Sequence, residues 1–282
     1  MAYPTVLLHL DDDARAELRN DLAIQLALRF GSHLNGLSCR RPLVLGAQLA
    51  VPAAGMDDAL TLELHEARRK ASERERRFRA QCDRSGLLSF ETEIDDSEEP
   101  GRALLRRAAV HDLVVLGQAD PGDPLAAQRR AIVEDVVLHS PRPTLVVPYA
   151  GRFEDFGHAP LLAWDGSHGA ARAIADALPI LRRARSVHLV QFDRHVGETG
   201  GLDPASLRGV VRWLGRHGIE AQADVRYTGV DFGNALLSHA ADVGADLLVM
   251  GCWGHARWAE RLLGGATRTV MASMTVPVLT SH

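Results

Sequence analysis

Four glycines, Gly251, Gly254, Gly264 and Gly265, follow directly on the apolar run ADLLVMG, and their type and spacing suit the binding of phosphate. Glycine lets backbone N–H groups come close to a phosphate. A helix beginning near Ala266 adds unpaired N–H groups and the positive end of its dipole. Thr267 offers a hydroxyl, and His255, Arg257 and Arg261 in the same stretch offer positive charge. In an open parallel sheet, ligands gather beyond the carboxyl ends of the strands, where Met250 and Gly251 close this one.

The elements that must position this loop come from an internal repeat. TVLLHLDDDA matches PLLAWDGSHG, which places Asp11 and Asp165 154 residues apart, each after a short apolar strand. HDLVVLG matches ADLLVMG at a spacing of 134, and the same spacing links Pro143 to Pro277 inside PRPTLVV and TVPVLTS. Matched landmarks at matched intervals mark two copies of one unit. The fall in spacing gives the first copy about twenty extra residues, expected as a loop around Arg41 to Ala59. Within each copy, strands alternate with helices of ten to fifteen residues, which predicts parallel β-α-β units. The fold class is therefore α/β, as two tandem doubly wound, mainly parallel five-stranded domains. They are expected at 1–150 and 158–282, joined through Gly151 to Ala159.

The first copy is a control for the second. At the spacing of 134, Gly117 keeps the place of Gly251, but Gly254 becomes Asp120, Gly264 becomes Arg130, Gly265 becomes Ala131 and Thr267 becomes Val133. A carboxylate repels phosphate, and side chains crowd a backbone cradle. The first copy is expected to bind no nucleotide in this mode.

On these motifs the chain resembles a tandem universal stress protein, well in the second copy and weakly in the first. Gly251, two residues, Gly254, nine residues and Gly264 are similar to that family's ATP-binding pattern, which continues with serine or threonine where this chain has Gly265. The resemblance implies a Rossmann-like fold of the adenine-nucleotide α-hydrolase-like type. It implies ATP, with Mg2+, at Ala163, Trp164, Asp165, Val190, Met250, Gly251, Gly254, His255, Arg257, Gly264, Gly265, Ala266 and Thr267. Asp165, Ala163 and Trp164 would sit at the adenine and ribose, and Val190 against the adenine ring. Pairing through last strands would make the two halves an intramolecular pseudo-dimer, with a homodimer as a further state. The function implied is a stress-response regulatory protein; the alternative is a tandem scaffold working through protein contacts without nucleotide.

Composition narrows the field. Across 282 residues, 46% are hydrophobic and 24% charged, with a net charge of -4 and a pI near 6.3, so the basic excess that nucleic acid calls for is absent. No apolar run approaches the roughly 20 residues of a membrane helix. Cys39, Cys82 and Cys252 form no C-x-x-C pair, and MAYPTVLLHLDDD lacks the basic start of a signal peptide, so a reducing cytoplasm is expected. No catalytic residue and no metal site are expected. No general base accompanies the glycines, so any ATP hydrolysis should be slow. The loop after the first strand reads DDDA or DGSHG, unlike the S-G-G-x-D-S-like loop of related ATP-cleaving ligases.

Several residues keep two readings. Asp165 contacts a ligand or only caps the following helix. Trp164 stacks on adenine or belongs to the core. Asp11 to Asp13 are an acidic helix start or, less simply, metal ligands. Cys252 is an inert thiol or one activated by a helix start and arginines.

Overall fold

A computed structural model describes residues 3–39, 56–153, 155–193, 204–252 and 265–282. By packing, the chain divides into Ala2–Val136 and Val137–His282.

In the first unit the strands are β1 (Thr5–Leu10), β2 (His33–Cys39), β3 (Phe90–Asp95) and β4 (Leu113–Gly117). Their order is β3-β2-β1-β4, with every pair parallel. The helices are α1 (Ala16–Phe30), α2 (Met56–Ser85), α3 (Pro100–Ala108) and α4 (Ala126–His139), the last running across the division. β1 is buried at five of its six positions because a parallel strand is covered on both faces. α1 stops at Gly31, whose φ of 67° suits a left-handed cap and whose N–H returns to the carbonyl of Ala27. Leu7, Leu37, Leu104, Val114, Leu116 and Val136 form the centre of the core.

The second unit contains β5 (Thr144–Val147), β6 (Pro160–Ala163), α5 (His168–Leu181), β7 (Val187–Asp193), α6 (Pro204–Arg216), β8 (Ala221–Tyr227), α7 (Phe232–Asp242), β9 (Leu247–Gly251), α8 (Gly265–Ser273) and β10 (Val278–Ser281). The strand order is β5-β10-β9-β6-β7-β8. All its pairs are parallel except β5 with β10, where Val278 faces Val146 in antiparallel register. The last strand of the first repeat thus packs beside the last strand of the second. Among the described residues each repeat supplies five strands, and the mainly parallel α/β fold is that of a Rossmann-like domain.

The ladders reproduce the repeat: Val6 faces Leu113 in one unit and Pro160 faces Leu247 in the other, the same spacings of 154 and 134. The extra length of the first copy lies mostly in a helix rather than in a loop. α2 has 30 residues and its counterpart α6 has 13, so Met56 to Ala59, expected in the loop, open α2. From Met56 to Ser85 the sequence contains neither Gly nor Pro to stop it; residues 40–55 lie outside the described residues. The connection Gly151 to Ala159 is irregular, with Gly151 and Gly157 at positive φ. Its end is fixed where the N–H groups of His158 and Ala159 donate to the Asp246 carboxylate at 2.8 and 2.9 Å. Among the described residues no helix is long and apolar enough to cross a membrane.

Candidate functional site

At the carboxyl ends of β6 and β9, the D-G-S turn is built by its own side chains. Asp165 Oδ1 accepts from the N–H of Ser167 at 2.9 Å, Gly166 takes a φ of 76°, and Ser167 Oγ accepts from the N–H of Ala170 at 3.1 Å. Asp165 therefore shapes the turn while Ser167 caps α5. Among the described residues no cation pairs with the Asp165 carboxylate.

Ala163 and Val190 face each other across β6 and β7, and the N–H of Trp164 continues that ladder to the carbonyl of Val190 at 2.8 Å. Val190 is fully buried. The half-buried Trp164 donates its indole N–H to Ser206 Oγ on α6 at 3.1 Å, which fixes its ring between strand end and helix.

Gly251 has a packing reason of its own. A Cβ there would lie 2.5 Å from the Ala170 nitrogen and 2.6 Å from the Gly169 carbonyl carbon, so only glycine lets β9 end against the first turn of α5. Met250 is buried one residue before it. Gly265, the first residue of α8, is exposed, and no atom of the described residues lies within 4 Å of where its Cβ would be; Ala266 is half-buried. Thr267 is buried, and its hydroxyl donates to the carbonyl of Cys252 at 3.3 Å. That hydroxyl is thus committed to the backbone. Gly254, His255, Arg257 and Gly264 lie outside the described residues, as does Arg261.

Cys252 is buried, with Sγ 2.6 Å from Thr280 Oγ1 and 3.4 Å from the carbonyl of Val137. Burial pushes its thiol up to about 12, against the hydrogen bond from Thr280 that favours the thiolate. The inert reading of this cysteine is the one its surroundings fit.

The equivalent place in the first unit is filled by charged side chains. Arg19 is buried and pairs with Asp11 and, at 2.7 Å, with Asp13. Its guanidinium takes the volume a Cβ on Gly117 would need. Arg129 reaches Asp12 at 2.7 Å, Asp123 at 2.8 Å and Asp11 at 3.6 Å, while Arg74 and Lys70 stand 4.0 Å from Asp12. Burial opposes the charge on Arg19, but Asp11 and Asp13 hold it protonated. In their midst burial and the charges of Arg19, Arg74 and Arg129 push His9 down to about 3. The aspartate triplet is thus matched by cations of its own chain. Among the described residues no group of three or more His, Cys, Asp or Glu is arranged to hold a metal ion.

Sequence reasoning missed Arg19. Its signal was an arginine on the face of α1 that also carries Ala23, Leu26 and Ala27, a position where the second repeat has Ala173. It also missed Gly169 and Gly233. A Cβ on Gly233 would lie 2.6 Å from Thr269 Cβ, so that glycine brings α7 onto α8.

Residues 161–282 match the sequence profile of the universal stress protein family. No curated protein sequence matches the chain. A universal stress protein from Archaeoglobus fulgidus DSM 4304 is similar in structure at a TM-score of 0.72 and 16% identity, over 98% of this chain and 94% of that one. A functionally unknown protein from Pseudomonas aeruginosa PAO1 is similar at a TM-score of 0.57 and 15% identity, over 99% of this chain and 92% of that one. At these identities the likeness speaks for the fold.

Proposed function

We propose, from the premise that residues 161–282 are a domain of the universal stress protein family, that this domain binds an adenine nucleotide and works as a regulatory binding protein in the cytoplasm. Occupancy would change its shape or its affinity for a partner. The observation that carries the reading is the contrast between the two strand ends. Where the first unit sets Arg19 against Gly117, the second has Ala173, and among the described residues the atoms nearest a Cβ on Gly251 are backbone atoms of Gly169 and Ala170.

The described residues fit a nucleotide on three counts. Asp165 keeps a carboxylate without a cation among them, suited to the hydroxyls of a ribose. Trp164 presents a half-buried ring beside Ala163. The start of α8 is open at Gly265 and offers its unpaired N–H groups to an anion. When bound, ATP with Mg2+ supplies the negative charge that such a helix start attracts. The reading gives the chain no general base and no catalytic residue, only a cradle and a pocket.

The scaffold reading draws on one observation: Gly265 has no hydroxyl and that of Thr267 is already donated to Cys252. A thermal shift separates the two. A ligand that binds only the folded state stabilises it by about 2.7 kcal/mol at a concentration near 100 times its Kd. ATP, ADP and AMP tested in turn on nucleotide-free protein should raise the melting temperature. No rise with any of them would favour the scaffold.

A further inference from the structure

The two repeats end their strand orders differently. β3 and β8 are equivalent edge strands, each with one hydrogen-bonded neighbour among the described residues. An edge presents unpaired N–H and C=O groups to any other strand, and stable proteins usually blunt it with charge, proline or a covering element. β3 is blunted. Glu91, Glu93 and Asp95 share one of its faces, so any self-pairing that keeps that face together sets acid against acid. Arg106 and Arg107 of α3 further engage Glu93 and Asp95.

β8 carries one charge of each sign, Asp224 and Arg226, in place of a row of acids. Every residue from Gln222 to Tyr227 is exposed, including Val225 at 39% and Tyr227 at 55%. The strand contains no proline and no lysine. Its alternation puts Asp224 and Arg226 on one face, 4.0 Å apart, and Ala223, Val225 and Tyr227 on the other.

We infer that β8 is a self-association edge, at which a second copy of this chain pairs antiparallel about Val225. In that register Val225 faces its own counterpart. Asp224 faces Arg226 of the other copy and Arg226 faces Asp224, while Ala223 faces Tyr227. The charged face becomes a checkerboard of alternating sign, and the other face becomes a continuous apolar strip. Shifting the centre by one residue in either direction sets Asp224 against Asp224 or Arg226 against Arg226. The charges therefore select one register and reject its neighbours. The contact is isologous, so it closes at two copies. One seven-residue edge buries less than a standard interface of about 1,600 Å², which makes the dimer a weak, exchanging one.

Sedimentation equilibrium of the full chain over a concentration series tests this, with Asp224→Arg, Arg226→Asp and the double variant alongside. All three changes are at exposed positions, and their melting temperatures should match the unaltered chain. The expected result is a concentration-dependent dimer that either single reversal weakens roughly tenfold or more. The double variant, which restores opposite charges across the twofold axis, should return it to within about threefold of the original. A chain that stays monomeric up to about 0.5 mM, a generous limit for an edge this small, would overturn the inference. So would a dimer indifferent to both single reversals, which would be held elsewhere.

Discussion

The guanidinium of Arg19 occupies the space that a side chain on Gly117 would take, and at the same place in the second repeat the atoms nearest a Cβ on Gly251, among the described residues, are backbone atoms of Gly169 and Ala170. Among the described residues, one strand end is thus closed by a charge and the other by backbone. The difference between the two copies, first seen as lost glycines in a loop, is also written in the first helix after each strand.

Removing that charge should be costly. Arg19 is 2% exposed and matches Asp11 and Asp13. Arg19→Ala, which copies the residue of the second repeat, takes from Asp13 its 2.7 Å partner and leaves Asp11 to Arg129 at 3.6 Å, in a buried place. Breaking a buried pair from one side typically costs about 3–5 kcal/mol. Urea unfolding should show a loss of this size in the transition of the first unit. A loss below about 1 kcal/mol, the worth of an exposed pair, would mean the cluster is solvated.

The same cluster predicts a pH dependence. His9 is pushed down to about 3 by burial and by Arg19, Arg74 and Arg129, against the opposing charge of Asp13. Its folded value lies below its unfolded one, so below about pH 6.5 the unfolded chain takes up a proton that the folded chain refuses. Stability therefore falls as pH drops from about 6.5 towards 3, by about 2 kcal/mol at pH 5 for this group alone. His9→Gln should flatten that slope in denaturant titrations at pH 5 and 7. An unchanged slope would assign the effect to other groups.

Glycines 251 and 265 should separate by substitution. Gly251→Ala drives a Cβ into the Ala170 nitrogen and the Gly169 carbonyl carbon, and overpacking of this kind costs about 1–3 kcal/mol. That loss should appear whether or not nucleotide is present. Gly265→Ala meets open space, so the melting temperature without ligand should hold or rise slightly, since alanine favours a helix over glycine by up to ~1 kcal/mol. Under the binding reading its nucleotide affinity should fall. Equal stability effects at the two positions would contradict the packing assigned to Gly251.

The thiols offer a simpler check. Cys39, Cys82 and Cys252 are all buried, and burial pushes each up to about 12. A thiol reagent at pH 8 should label none of them in the native protein and all three in denaturant. Rapid labelling of Cys252 in the native state would restore the activated reading that its place in the loop suggested.

Much of this was legible in the sequence because strands that are buried on both faces leave continuous apolar runs. TVLLHL, LVVLG and LLVMG gave β1, β4 and β9, and their spacing gave the repeat that the ladders reproduce. α2 was harder to delimit. Its first turn, Met56 to Ala59, was counted with the apolar stretch before it, although Gly55 and the acidic Asp57 and Asp58 mark the change there. Arg19 was missed because patterning treats an arginine as a surface residue, and its burial is explained by Asp11 and Asp13, which pair with it across the start of α1. Thr267 looked available because its hydroxyl is close to the glycines in sequence, whereas its partner, the carbonyl of Cys252, becomes a neighbour only once α8 folds back on β9.

The most direct test of the central claim is calorimetric titration of nucleotide-free protein with Mg-ATP, beside a Gly254→Asp variant that copies Asp120 of the first repeat into the second. The account predicts one site per chain in the unaltered protein and none in the variant. No heat in the unaltered protein would contradict nucleotide binding, and two sites per chain would contradict the closure of the first unit by Arg19.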